Sequence, residues 1–139
     1  MTATPTPSPA PANQPLRSRL DAAHHGLLAV HKTLLDHERM RYEQVRGRIE
    51  SPGELLNLVL KDPWFEWLRP ISMLVAQIDE FTESRQPTDP REGEALLTQA
   101  RSLLIPGEEG TSFQREYYRA IQQSPEVALA HAQWKRTQL

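Results

Sequence analysis

Wound as one helix, Leu20 to Ile49 carries Leu20, Leu27, Leu34, Tyr42, Val45 and Ile49 along a single apolar stripe. His24, His31 and Glu38 fall into the same stripe, seven residues apart, with Glu38 near the centre of the arc. Ionisable groups on a core-facing seam must be paired, neutralised or bound to something, because burying them alone is costly. Two chemistries answer that requirement. One is a transition-metal centre inside a helical bundle, with His131 from the last helix joining His24, His31 and Glu38 as ligands. The other is a buried polar network, in which neutral imidazoles donate to a carboxylate or a backbone carbonyl.

Spacing weighs against the metal. Seven residues climb about 10.5 Å along a helix axis, whereas ligands given by one helix to one ion stand three or four positions apart. The chain has no Glu-x-x-His and no His-x-x-x-His, although Asp21 and His24 keep a metal-compatible spacing. A network needs a counter-charge for Glu38. Arg69 and Arg115 are the candidates from other helices, and Asp79, at the edge of another apolar arc, is a candidate partner for a histidine.

Other reaction chemistry has little footing. Without cysteine there is no thiolate nucleophile or thiolate metal site. Ser18, Ser51, Ser112 and Ser124 all stand where helices begin and serve as caps, which leaves Ser72 without a strained turn to present it as a nucleophile. No glycine-rich phosphate loop precedes a helix. We therefore assign no catalytic residue and no resident cofactor. Arg39, Arg41, Arg46 and Arg48 make one end of the first helix basic, but Glu38, Glu43 and Glu50 interleave with them as on a solvated face. Arg115 and Arg119 beside Tyr117 and Tyr118 tempt a nucleic-acid reading and fail similarly. With 16 Lys and Arg against 18 Asp and Glu, no field of one sign attracts nucleic acid or anionic lipid.

These residues must be held by helices, since no segment alternates with period two. Residues 1–15, MTATPTPSPAPANQP, have almost nothing to bury and read as a disordered tail. The remainder, 16–139, reads as one domain. Ser18 with Asp21 matches a capping box for a first helix ending near Arg48. Ser51-Pro52-Gly53-Glu54 starts a short apolar helix, Leu55 to Leu60. Asp62-Pro63 redirects the chain into a helix from Trp64 to about Ser84, kinked by Pro70, with Trp64 and Trp67 inward. Phe65 alone lies off that core arc, which makes it the candidate contact for a partner protein. Asp89-Pro90 caps a third long helix, Ser112 starts another, and Ser124-Pro125-Glu126 opens the last. The pattern predicts an all-α antiparallel bundle of four to five helices.

The strings Leu28-Ala29-Val30-His31-Lys32-Thr33-Leu34-Leu35-Asp36-His37-Glu38-Arg39 and Asp62-Pro63-Trp64-Phe65-Glu66-Trp67-Leu68-Arg69-Pro70-Ile71-Ser72, with the ending Ser124-Pro125-Glu126-Val127-Ala128-Leu129-Ala130-His131, resemble an uncharacterised group of bacterial helical-bundle proteins. The resemblance covers residues 16–139 and implies a bacterial source and an all-α fold; it carries no function with it. Hemerythrin and ferritin architectures are similar in outline, but their ligand spacings are missing, so no metal residue is carried over from them. No stretch approaches the roughly 20 apolar residues of a membrane span, and the start lacks a secretory signal pattern. The expectation is a small cytoplasmic structural or interaction module, acting as a homodimer or on another protein. The alternative is a bundle binding a metal or small ligand through His24, His31, Glu38 and His131.

Overall fold

The computed structural model describes residues 15–138, so the segment read as a tail lies, except for Pro15, outside the described residues. Every regular element among the described residues is helical. In chain order these are α1 (Leu16–Arg46), α2 (Pro52–Lys61), a 3-10 turn (Pro63–Leu68), α3 (Arg69–Glu83), α4 (Pro90–Leu103), α5 (Ser112–Gln123) and α6 (Pro125–Thr137). No helix among the described residues is long and apolar enough to cross a membrane.

Most starts are set by the capping residues of the sequence. Ser51 Oγ accepts from the Glu54 N–H at 3.1 Å, Asp89 Oδ1 from Arg91 N–H at 2.9 Å and Ser124 Oγ from Val127 N–H at 3.3 Å, each with proline at the next position. Each cap satisfies one of the orphan donors of a first turn. Three expectations are corrected. α1 begins at Leu16 after Pro15, so Ser18 and Asp21 sit inside the helix and form no capping box. α5 is capped by Thr111, whose hydroxyl accepts from Gln114 N–H while the Gln114 side chain accepts from Thr111 N–H; Ser112 is its first helical residue. Pro70 kinks nothing, because the 3-10 turn ends at Leu68 and Pro70 falls in the first turn of α3, where a missing N–H costs no hydrogen bond.

α1 also stops earlier than its stripe. Gly47 adopts φ +100°, a conformation open to glycine, and its N–H closes back on Glu43 O at 3.2 Å. Ile49 is still buried, from the loop beyond, and Val45 faces solvent. α1 is the organising element. It packs against α6, α3, α4 and the 3-10 turn, while α3 lies against α4 and α5 against α6. Leu20, Leu27 and Leu34 from α1 meet Ile71 and Ile78 from α3, Leu97 and Ala100 from α4, and Tyr117 and Val127 in one continuous core.

α1 approaches α6 closely at Gly26, where a Cβ would stand 2.7 Å from Cε3 of the buried Trp134. α2 differs from the rest. It rests on the 3-10 turn and buries none of its residues, although it carries four leucines and a valine.

Candidate functional site

Glu38 is 1% exposed, in the C-terminal third of α1 and on the core-facing arc where the stripe placed it. Arg41, one turn along, donates from Nη1 to both carboxylate oxygens at 2.9 Å. Trp64 Nε1–H donates to Oε2 at 2.9 Å from the 3-10 turn, and Arg119 Nη2 donates to Oε1 at 3.1 Å from α5. A buried carboxylate is tolerated only when its lone pairs are filled this way. The shell continues outward. Arg119 is also bridged to Glu116 through Nε and Nη2, and its Nη1 donates to Gln123 Oε1 at 2.9 Å. His37 Nε2 stands 3.3 Å from the same Gln123 oxygen, so that ring nitrogen carries the proton. Burial and the two carboxylates act oppositely on Arg119; the net effect raises it, and it stays charged.

The arginines called on to neutralise Glu38 are not the ones that do. Arg69 is exposed, near Glu66, and Arg115 points to solvent from α5. Arg119, one turn further along α5, faces α1 instead. Trp64 is half-buried, its ring edge-on to Tyr42 with centroids 5.5 Å apart and the guanidinium of Arg41 5.4 Å from its centroid. Arg41, read as part of a solvated face, therefore spends its charge inside the network. Phe65 is corrected as well: it is 1% exposed and tilted against Tyr42, unavailable to a partner, because the 3-10 turn rotates it off the α-helical projection used to place it.

The histidines separate. His24 Nε2 lies 2.7 Å from Asp79 Oδ1, a close contact between α1 and α3 that lacks hydrogen-bond alignment. His31 lies partly buried in the middle of α1, and burial pushes its pKa down, which keeps it neutral at pH 7. His131 receives Tyr117 instead: Tyr117 Oη and His131 Nδ1 are 2.8 Å apart, with the rings nearly perpendicular. Glu38 and His131 thus have hydrogen-bond partners of their own, and His24 stands against Asp79. Among the described residues no three His, Asp or Glu side chains stand together as metal ligands.

Sequence reasoning missed Arg119, Trp64 and the Tyr117–His131 pair. Glu38 and Arg41 at i, i+3 were a usable signal; the rest depends on how helices distant in sequence cross. No known protein family, curated protein or solved structure matches the chain. The site must be read from its own geometry. Chemically, Glu38 has no free lone pair to offer a substrate, and its cations are committed to carboxylates. It is built to hold three elements together.

Proposed function

We propose that this chain is a cytoplasmic protein-interaction module, an antiparallel helical bundle locked by the Glu38 network, that pairs through α2 with a second copy of itself. The observation that carries this reading is the outer face of α2, where Leu56 and Leu60 are 59% and 60% exposed one turn apart. Gly53 continues that face at the next turn, which leaves it flat enough for another helix to approach. Isolated exposed leucines are ordinary on protein surfaces; a ten-residue helix that packs Leu55, Leu58 and Val59 partly against the core and leaves Leu56 and Leu60 bare together on its outer face is not.

Charge favours a second α2 running antiparallel across it. Glu54 stands in the first turn and Lys61 in the last. A two-fold axis between Asn57 and Leu58 brings the Glu54 of one copy opposite the Lys61 of the other, with the leucines between them. Ten residues make a helix only about 15 Å long. Such a face is below the size of a standard stable interface, so association falls in the micromolar range. Glu38 supports the arrangement indirectly, since Trp64 ties the 3-10 turn on which α2 rests to the buried face of α1.

Sedimentation equilibrium tests it. The full chain should shift from monomer to dimer mass across roughly 1–100 µM, and Leu56→Glu with Leu60→Glu should stay monomeric with unchanged helix content. A chain monomeric at every concentration, or one that dimerises equally with both substitutions, overturns the reading.

A further inference from the structure

A pocket of about 420 Å³ opens between the end of α4 and the face of α6 that carries His131, Trp134 and Lys135. Its volume lies in the range of small-molecule sites. The walls divide by chemistry. Leu104, Ile105 and Trp134 supply hydrocarbon and an aromatic ring. Arg101 and Lys135, both exposed, supply positive charge at the mouth. Among the described residues no carboxylate comes within salt-bridge distance of either cation; Arg101 has only the Gln138 amide oxygen, 3.4 Å from its Nε.

His131 adds a donor to the lining. Tyr117 is fully buried, and among the described residues its hydroxyl has no acceptor other than His131 Nδ1, so the phenol donates to that nitrogen. The remaining imidazole proton therefore sits on Nε2, which has no hydrogen-bond partner within the protein among the described residues. Burial, with a smaller push from the Lys135 charge, lowers the His131 pKa, so the ring is a neutral donor at pH 7 rather than a third cation. Two cations with no carboxylate at salt-bridge distance among the described residues, and one N–H donor, surround a partly apolar hollow. A cation would be repelled, a neutral hydrocarbon would leave the polar rim unused, and a bare phosphate would leave the walls unfilled.

We infer that this pocket binds a small aromatic carboxylate, its ring against Trp134 and Leu104 and its carboxylate among Arg101, His131 and Lys135. The inference is independent of pairing through α2, which lies on a different element. A charge-assisted contact is stronger than its neutral counterpart, so the carboxylate and the ring should each be needed for affinity.

Isothermal titration of the full chain with three probes tests it: 2-naphthoate, the uncharged 2-naphthylmethanol with the same ring, and inorganic phosphate. 2-Naphthoate should bind with one site per chain, and the alcohol and phosphate about tenfold or more weaker. Arg101→Gln with Lys135→Gln should weaken 2-naphthoate by about tenfold, and His131→Phe severalfold, with circular dichroism confirming intact helices. The Leu56→Glu, Leu60→Glu variant should bind 2-naphthoate as the parent does. Equal affinity for 2-naphthoate and the alcohol, undiminished binding in the Arg101/Lys135 variant, or no heat with 2-naphthoate at all would overturn the inference.

Discussion

Glu38→Ala removes a carboxylate that accepts four hydrogen bonds in an almost water-free setting. Deleting one member of a buried ion pair costs about 3–5 kcal/mol, because the other charge is left behind. Two features hold this case to the lower end. Arg119 retains Glu116 and Gln123, and the Arg41 side chain is 35% exposed, so water can take over part of its solvation. The Trp64 indole N–H loses its acceptor, which alone costs about 1–3 kcal/mol when no water replaces it. We expect a loss of about 3 kcal/mol for Glu38→Ala. Glu38→Leu refills the volume but leaves the same donors unsatisfied, and should cost about 2 kcal/mol. Arg119→Ala leaves Glu38 with Arg41 and Trp64, and should cost less than either. Urea titrations followed by circular dichroism read all three, and the Glu38→Ala/Arg119→Ala cycle should give a coupling above about 1 kcal/mol. If Glu38→Ala and Glu38→Leu both stay within about 0.5 kcal/mol, the range of ordinary surface changes, the network does not lock the helices.

Acid should weaken the fold through His31 and His131. Both have pKa values lowered in the native state, chiefly by burial, so the unfolded chain binds protons more readily; stability is present above the ordinary histidine range near pH 6.5 and falls as pH drops through it towards the native-state values. His31→Leu should therefore gain on the parent at pH 5 relative to pH 7.5, and an unchanged difference in urea midpoint between those pH values would count against this cause. Gly26→Ala should destabilise by about 1 kcal/mol net, because overpacking against Trp134 outweighs the gain in helix propensity; a raised melting temperature would show that α6 yields at this contact. Tyr117→Phe should cost about 1 kcal/mol by deleting the bond to His131 in an otherwise unchanged core, with the loss read in the same urea titrations.

Much of the helical order was legible because caps and prolines are local signals. Ser51-Pro52, Asp89-Pro90 and Ser124-Pro125 declare helix starts in any context, and the structure uses all three. Gly47 was equally readable as a helix stop, and the continuing apolar stripe masked it. Periodicity put Glu38 on the core-facing stripe, but a slight rotation of the helix would have left it at an open end of the bundle; in the structure it is buried. Its partners did not follow from periodicity, since choosing Arg119 over Arg115 depends on the angle at which α5 meets α1. Phe65 went astray because three residues per turn replace 3.6 over Pro63–Leu68, and a projection made with the wrong period moves a ring from core to surface. Gly26 was likewise silent in sequence: a glycine inside a helix acquires meaning only once Trp134 lies against it.

Pairing through α2 is the central claim, and the absence of native cysteine makes one measurement decisive. Asn57→Cys carries a single spin label at the exposed centre of α2, beside the proposed two-fold axis. Packed helices stand about 8–10 Å apart, so pulsed electron resonance at concentrations that populate the dimer should show a short inter-copy distance. A label at exposed Gln99 on α4 should give a different, longer distribution, and Leu60→Glu should abolish both signals. Loss of both inter-copy distances in Leu60→Glu is the predicted result. A short distance at Gln99 with none at Asn57, or no inter-copy distance at any concentration, would contradict it.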